Sequence, residues 1–208
     1  MPLIQGVYRQ PWQPLLDLWF GDDADDAARA KRQAPLWWGK DTATDTMLAA
    51  RFGELADAAA NERLGDWAEV PAGRLALILL LDQLPRNIHR GTPAAFAQDA
   101  KARELCLQGL AQGADRALSP LARVFFYLPL EHAESRELQA RSVALFDALA
   151  TEQAAGPALT TFAGFADFAR RHQLIIERFG RFPHRNAILG RPDSEDEAAF
   201  LQQPGSGF

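Results

Sequence analysis

Four histidines, His89, His132, His172 and His184, stand in a chain of 208 residues beside carboxylates and guanidinium groups that a simple helical hairpin does not require. Asp82, Arg86 and Asn87 share one stretch, residues 78–99, and Arg181, His184, Arg185 and Asn186 share another, residues 179–191. Both stretches place a proline shortly before an Arg-Asn pair, and Glu131, His132 and Glu134 lie between them in the chain. Brought together, these groups could do acid–base chemistry on an anion. His132 or His172 would move a proton, with Asp82 or Glu134 orienting the imidazole. Arg86, Arg181 and Arg185, with Asn87, His184 and Asn186, would hold a small anionic ligand or a developing negative charge. A purely structural reading uses the same residues: arginines on open helix carbonyls, asparagines capping turns, and Asp82 paired inside a buried network. His172 falls on an apolar helix face, where an imidazole donating to a carboxylate or carbonyl is the ordinary arrangement, and His89 reads as a turn residue.

Other chemistries are excluded by what the chain lacks. The single cysteine, Cys106, rules out an internal disulfide and a Cys-based zinc site, and reads as a small packing residue. Neither paired Glu-x-x-His nor His-Glu-x-x-His occurs, so no metal site is expected. No phosphate-binding glycine loop, nucleophile elbow or dinucleotide fingerprint is present, so no cofactor is expected. The net charge of −5 argues against nucleic acid as the main partner. Only three of the 22 basic residues are lysine, and guanidinium forks suit paired contacts with carboxylates or phosphates, although a GC-rich genome gives the same bias.

The elements that must position these groups read as helices. Residues 11–20 form a short helix ended by Gly21, and an acidic segment leads from it to a Trp37-Trp38 corner. Residues 44–60 carry Leu48, Phe52, Leu55 and Ala59 at helical spacing. Pro71 opens a helix whose residues 75–81 are apolar on every side, which predicts the most buried element. Pro85 ends it, leaving Arg86 and Asn87 on the inside of a turn. Thr92-Pro93 starts a helix that runs to about Gly113, and Ser119-Pro120 starts a short aromatic one, residues 121–128, interrupted at Pro129. Leu138, Ser142, Leu145 and Leu149 mark the next, ended near Gly156-Pro157, and residues 162–179 the one after. Ser194 to Glu197 is a capping box before a last helix and a flexible tail, residues 203–208. No segment alternates with period two, so the expected fold is all-α: about eight helices in stacked antiparallel hairpins, without a sheet, forming one domain over residues 1–208.

Three stretches, LALILLLDQLPRNIHRGTPAAFAQDAKAR, FFYLPLEHAES and RRHQLIIERFGRFPHRNAILGR, together resemble the bacterial family known as domain of unknown function 924. The N-terminal LLDLWFGD and DTATDTMLAARF are similar to its opening, so the resemblance spans nearly the whole chain. It implies a tetratricopeptide-like helical fold and no established activity. Glu131 stands where the family pattern resembles Met, which adds a charge beside His132.

Two functional readings follow. One is a pocket for a small anionic molecule with histidine-based catalysis; the other is a scaffold whose paired helices present a groove to a peptide or protein, the polar motifs being structural. No apolar run reaches the roughly 18 residues that would span a bilayer, and residues 1–12 lack the basic and apolar regions of a secretory leader. A cytoplasmic protein without a membrane partner is expected.

Overall fold

The computed structural model describes residues 9–23, 25–156 and 158–207. The expectations for the extreme N-terminus, Pro157 and the last residue of the tail fall outside them. The described residues are all-helical, without a strand. The elements are α1 (Gln13–Phe20), α2 (Asp26–Trp38), α3 (Thr42–Ala60), α4 (Pro71–Ile78), a π-helical turn (Leu79–Gln83), α5 (Leu84–Ile88), α6 (Asp99–Gln112), α7 (Pro120–Glu131), α8 (Arg136–Glu152), α9 (Leu159–Phe179) and α10 (Glu195–Leu201). Short 3-10 turns occupy Gly65–Glu69, Pro93–Phe96, Ala114–Ala117 and Pro183–Arg185.

The apolar run predicted to be central is central. Leu75 to Leu81 are all buried, and the rod made by α4, the π turn and α5 is enclosed by α3, α6 and α7. Each of these large side chains contributes roughly 1.5–3 kcal/mol on burial. Close approach is built in at Gly109 of α6, where a Cβ would fall 2.5 Å from Phe126 and 2.6 Å from Arg74. Arg74 is itself buried there and spans to α6, donating to the Leu105 carbonyl at 3.1 Å and to Gln112 at 2.9 Å. On the other flank α7, α8 and α9 pack on one another in sequence through short connections.

Pro85 does not end the helix, contrary to expectation. The chain first widens into a π turn, in which the amide of Leu84 reaches back five residues to Leu79, and Pro85 then sits in the first turn of α5, where no amide is required. Arg86 and Asn87 are therefore helical residues on α5. Pro129 likewise lies inside α7, which continues to Glu131. Only one amide is lost, and just beyond it the buried side chain of Gln139 donates to the carbonyls of Glu131 at 2.5 Å and Ala133 at 2.8 Å. Thr92-Pro93 opens a 3-10 turn and α6 starts only at Asp99; the Thr92 hydroxyl donates backward to the His89 carbonyl instead of capping.

The acidic segment hides a helix. Asp25 caps α2 by accepting from Ala28 at 2.8 Å, and the helix buries few residues, which is why its periodicity is faint. Its Gln33 and Trp37 donate to the last carbonyls of α1. Of the paired tryptophans, Trp37 is buried as a core corner while Trp38 is half exposed and stacked on Phe125. The capping box at Ser194 is present as predicted. Within the tail, the amide of Gln203 reaches Phe200 and the Ser206 hydroxyl reaches Leu201.

Candidate functional site

Asp82 occupies the π turn and is fully buried. The turn aims its carboxylate at the C-terminal end of α7, where His132 is the capping residue. His132 Nδ1 lies 2.7 Å from Asp82 Oδ1. Gln83 donates to the other carboxylate oxygen at 2.5 Å, and Arg86, one turn on, sits 3.2 Å from Oδ1 and also bonds the Asp82 carbonyl. Arg86 in turn makes a two-pronged contact with Asp99, the first residue of α6, at 2.8 and 3.0 Å. Burial by itself would raise the Asp82 pKa, but Arg86 and then His132 hold the carboxyl well below the usual carboxylate range. An ionised carboxylate only accepts, so Nδ1 carries the proton and donates it, and in the neutral ring Nε2 holds the lone pair. Burial, reinforced by Arg86, lowers the His132 pKa below the ordinary value, so the ring is neutral near pH 7. Its side chain keeps 14% of its surface exposed.

A second carboxylate–histidine pair lies directly behind the first. Glu131 precedes His132 in α7, and its Oε1 is 3.0 Å from Nδ1 of His172, which also faces the Phe168 carbonyl at 2.9 Å. The two imidazoles are 6.2 Å apart between centroids. Among the described residues no cation faces Glu131; burial, then the charge of Asp82, pushes its pKa up to about 8. His172 falls to about 3, chiefly through burial.

Gly180, in the left-handed region at φ 72°, ends α9 and turns the chain back so that Phe182, His184 and Arg185 reach the same place. The Arg185 guanidinium lies over the rings of Phe96 and Phe182, 4.7 and 4.5 Å from their centroids. Among the described residues its nearest carboxylate oxygen is on Asp99 at 3.5 Å, and its Nε is buried without a hydrogen-bond partner. Burial, with repulsion from Arg86, lowers its pKa to about 10. Burial and Arg185 take His184 down to about 4.

The structure thus brings together Asp82, Arg86, His132, His172, His184 and Arg185. It places the remaining candidates otherwise. Glu134 accepts the Phe182 amide and a two-pronged contact from Arg191 at 2.7 and 2.9 Å. Asn186 joins that clasp through Arg191 and Asp193. Arg181 grips Glu197 of α10 at 2.6 and 2.7 Å. Asn87 faces away, toward Asp45 of α3, beside Arg90. These four fasten the segment after α9 and the end of α5.

Asp99, Gln83, Phe96 and Phe182 belong to the site and were not among the sequence candidates. Asp99 follows an apparent helix start by seven residues, and nothing local distinguishes it from a surface acid. A signal existed for Glu131: a charge inside an otherwise apolar helix end beside a histidine. Two surface clefts, of about 310 and 300 Å³, lie elsewhere, one beside Arg178 and Glu197, the other beside Phe20 and Leu118. Among the described residues no three metal-binding side chains are grouped to hold an ion. No helix described is long and apolar enough to cross a membrane.

Fold and site define an all-helical protein built around a buried carboxylate–histidine–arginine centre. The chain belongs to the bacterial family of unknown function DUF924, whose profile matches residues 15–205. It is similar to a protein of unknown function from Agrobacterium tumefaciens of solved structure, with 37% identity and a TM-score of 0.75 over 92% of this chain and 96% of that one. No curated protein matches.

Proposed function

We propose that this centre is a small-molecule site in which His132, oriented by Asp82, moves a proton to or from an anionic substrate held by Arg86 and Arg185. The observation that carries the reading is the 2.7 Å contact between Asp82 and His132. It fixes the tautomer and leaves Nε2, the nitrogen away from Asp82, without a partner among the described residues, on a ring that reaches solvent. A neutral imidazole held this way can take up a proton on Nε2 near pH 7 and give it back.

Thermal shifts against small carboxylates, phosphate, nucleotides and short peptides test the reading. A ligand present at a hundred times its dissociation constant stabilises by roughly 2.7 kcal/mol, which at this length raises the melting temperature by about 5–11 °C. A shift with small anions, weakened in His132→Gln, is the expected result. A response to peptides alone would overturn it in favour of a tetratricopeptide-like scaffold in which the polar centre only fixes helix geometry.

A further inference from the structure

The charges around His132 are balanced before any ligand arrives. Asp82 from the π turn and Asp99 from α6 face Arg86 from α5 and Arg185 from the segment after α9. The other groups nearby leave that balance intact. Glu131 of α7 and His172 of α9 form a buried pair that low polarity keeps without net charge, and His184 is neutral near pH 7. Further out, Glu134 is matched by Arg191, and Asp45 of α3 by Arg90. An anion entering alone would add one uncompensated charge to a buried site, which is costly.

His132 can remove that cost by taking a proton. It caps the C-terminus of α7, where the helix dipole favours a cation, and its Nδ1 already donates to ionised Asp82. Arg185 can receive the anion. Arg86 uses its terminal nitrogens on Asp99 and on Asp82, whereas among the described residues the one hydrogen bond of the Arg185 side chain is the 3.5 Å contact through Nη1. Its side chain is 8% exposed, its guanidinium carbon lies over the rings of Phe96 and Phe182, and its buried Nε has no hydrogen-bond partner among the described residues. The edge formed by Nε and Nη2 is the part of a guanidinium that binds two oxygens of one oxyanion.

We infer that the site takes up a singly charged oxyanion of carboxylate size on the free edge of Arg185 together with one proton, which settles on Nε2 of His132. The proton comes from solvent, and no bond of the anion is broken. The inference rests on the function proposed above and adds to it the charge class of the ligand and an obligatory proton.

Acetate serves as the probe, on the full chain between pH 5.5 and 8.5. The His132 ring is titrated by NMR with and without saturating acetate, its signal assigned by its loss in His132→Gln. Acetate should raise the His132 pKa by at least one unit, and its affinity should fall about tenfold per pH unit above the free-site value. Sulfate, a dianion throughout, should bind at least tenfold more weakly than acetate. Arg185→Lys keeps the charge but loses the edge, and should weaken acetate at least tenfold. Should that variant not fold, the shift of the Arg185 Nε–H signal on adding acetate to the unmodified protein decides the same point. Equal acetate affinity at pH 6 and 8 with an unmoved His132 would overturn the proton coupling and leave the anion site standing. No binding by any small anion at pH 5.5 would remove both.

Discussion

Asp82–His132 and Glu131–His172 are the same chemical pair built twice within a few ångströms, and the protein holds them in opposite states. Asp82 faces Arg86 and accepts from Gln83, so full burial does not prevent its ionisation. Glu131 faces no cation among the described residues and sees the charge of Asp82, so burial drives it toward the protonated form, with a pKa of about 8. Residue type settles neither outcome; the count of neighbouring charges does. In the first pair His132 reaches solvent. The second lies deeper and holds one proton between its partners.

Removing the charge of the first pair should have the largest effect. Asp82→Asn leaves Arg86 half-compensated and disturbs the π turn, and should cost about 3–5 kcal/mol in denaturant unfolding at pH 7. A loss below about 1 kcal/mol would mean that Asp99 alone satisfies Arg86 and that the contrast drawn here is wrong.

Glu131→Gln should behave in the opposite sense. A folded pKa of about 8, above the unfolded value, means stability is full below about pH 4.5 and is lost as pH rises through about 8. The variant should therefore be more stable than the parent at pH 8.5, by on the order of 2 kcal/mol, and gain nothing at pH 5. Equal destabilisation at both pH values would show Glu131 ionised beside a protonated His172.

His172 and His184 have folded pKa values depressed to about 3 and about 4, so the unfolded chain binds more protons once the pH drops below about 6.5. Stability should fall continuously from pH 6.5 toward pH 4. A flat profile over that window, followed by melting temperature, would place both rings in a wetter setting.

The smallest effect belongs to Arg181→Ala. Losing the grip on Glu197 should speed amide exchange in α10 while leaving the response to small anions unchanged, which separates the clasp from the site. A loss of anion binding in that variant would join the two.

Helical periodicity, proline and glycine starts and stops, and a capping box were legible because they depend on neighbours within about four residues. The buried central run of residues 75–81 and the start of α10 came from such signals. Local rules failed where tertiary contacts outweighed them. Pro85 is carried inside a helix by the π turn before it, and Pro129 lies near the end of α7, whose last carbonyl Gln139 binds. The faint pattern of α2 follows from how little of it is buried.

By itself the sequence determined an all-helical chain and a short set of ionisable residues too costly to bury without partners. Which partners they have was decided only by packing. Arg86 and Arg181 look alike in the chain, yet one faces Asp82 and Asp99 in the interior while the other fastens α10. Asp99, unremarkable in sequence, meets both Arg86 and Arg185 across 13 and 86 residues. Charges act through space with a strength set by distance and burial, and neither quantity is written along the chain.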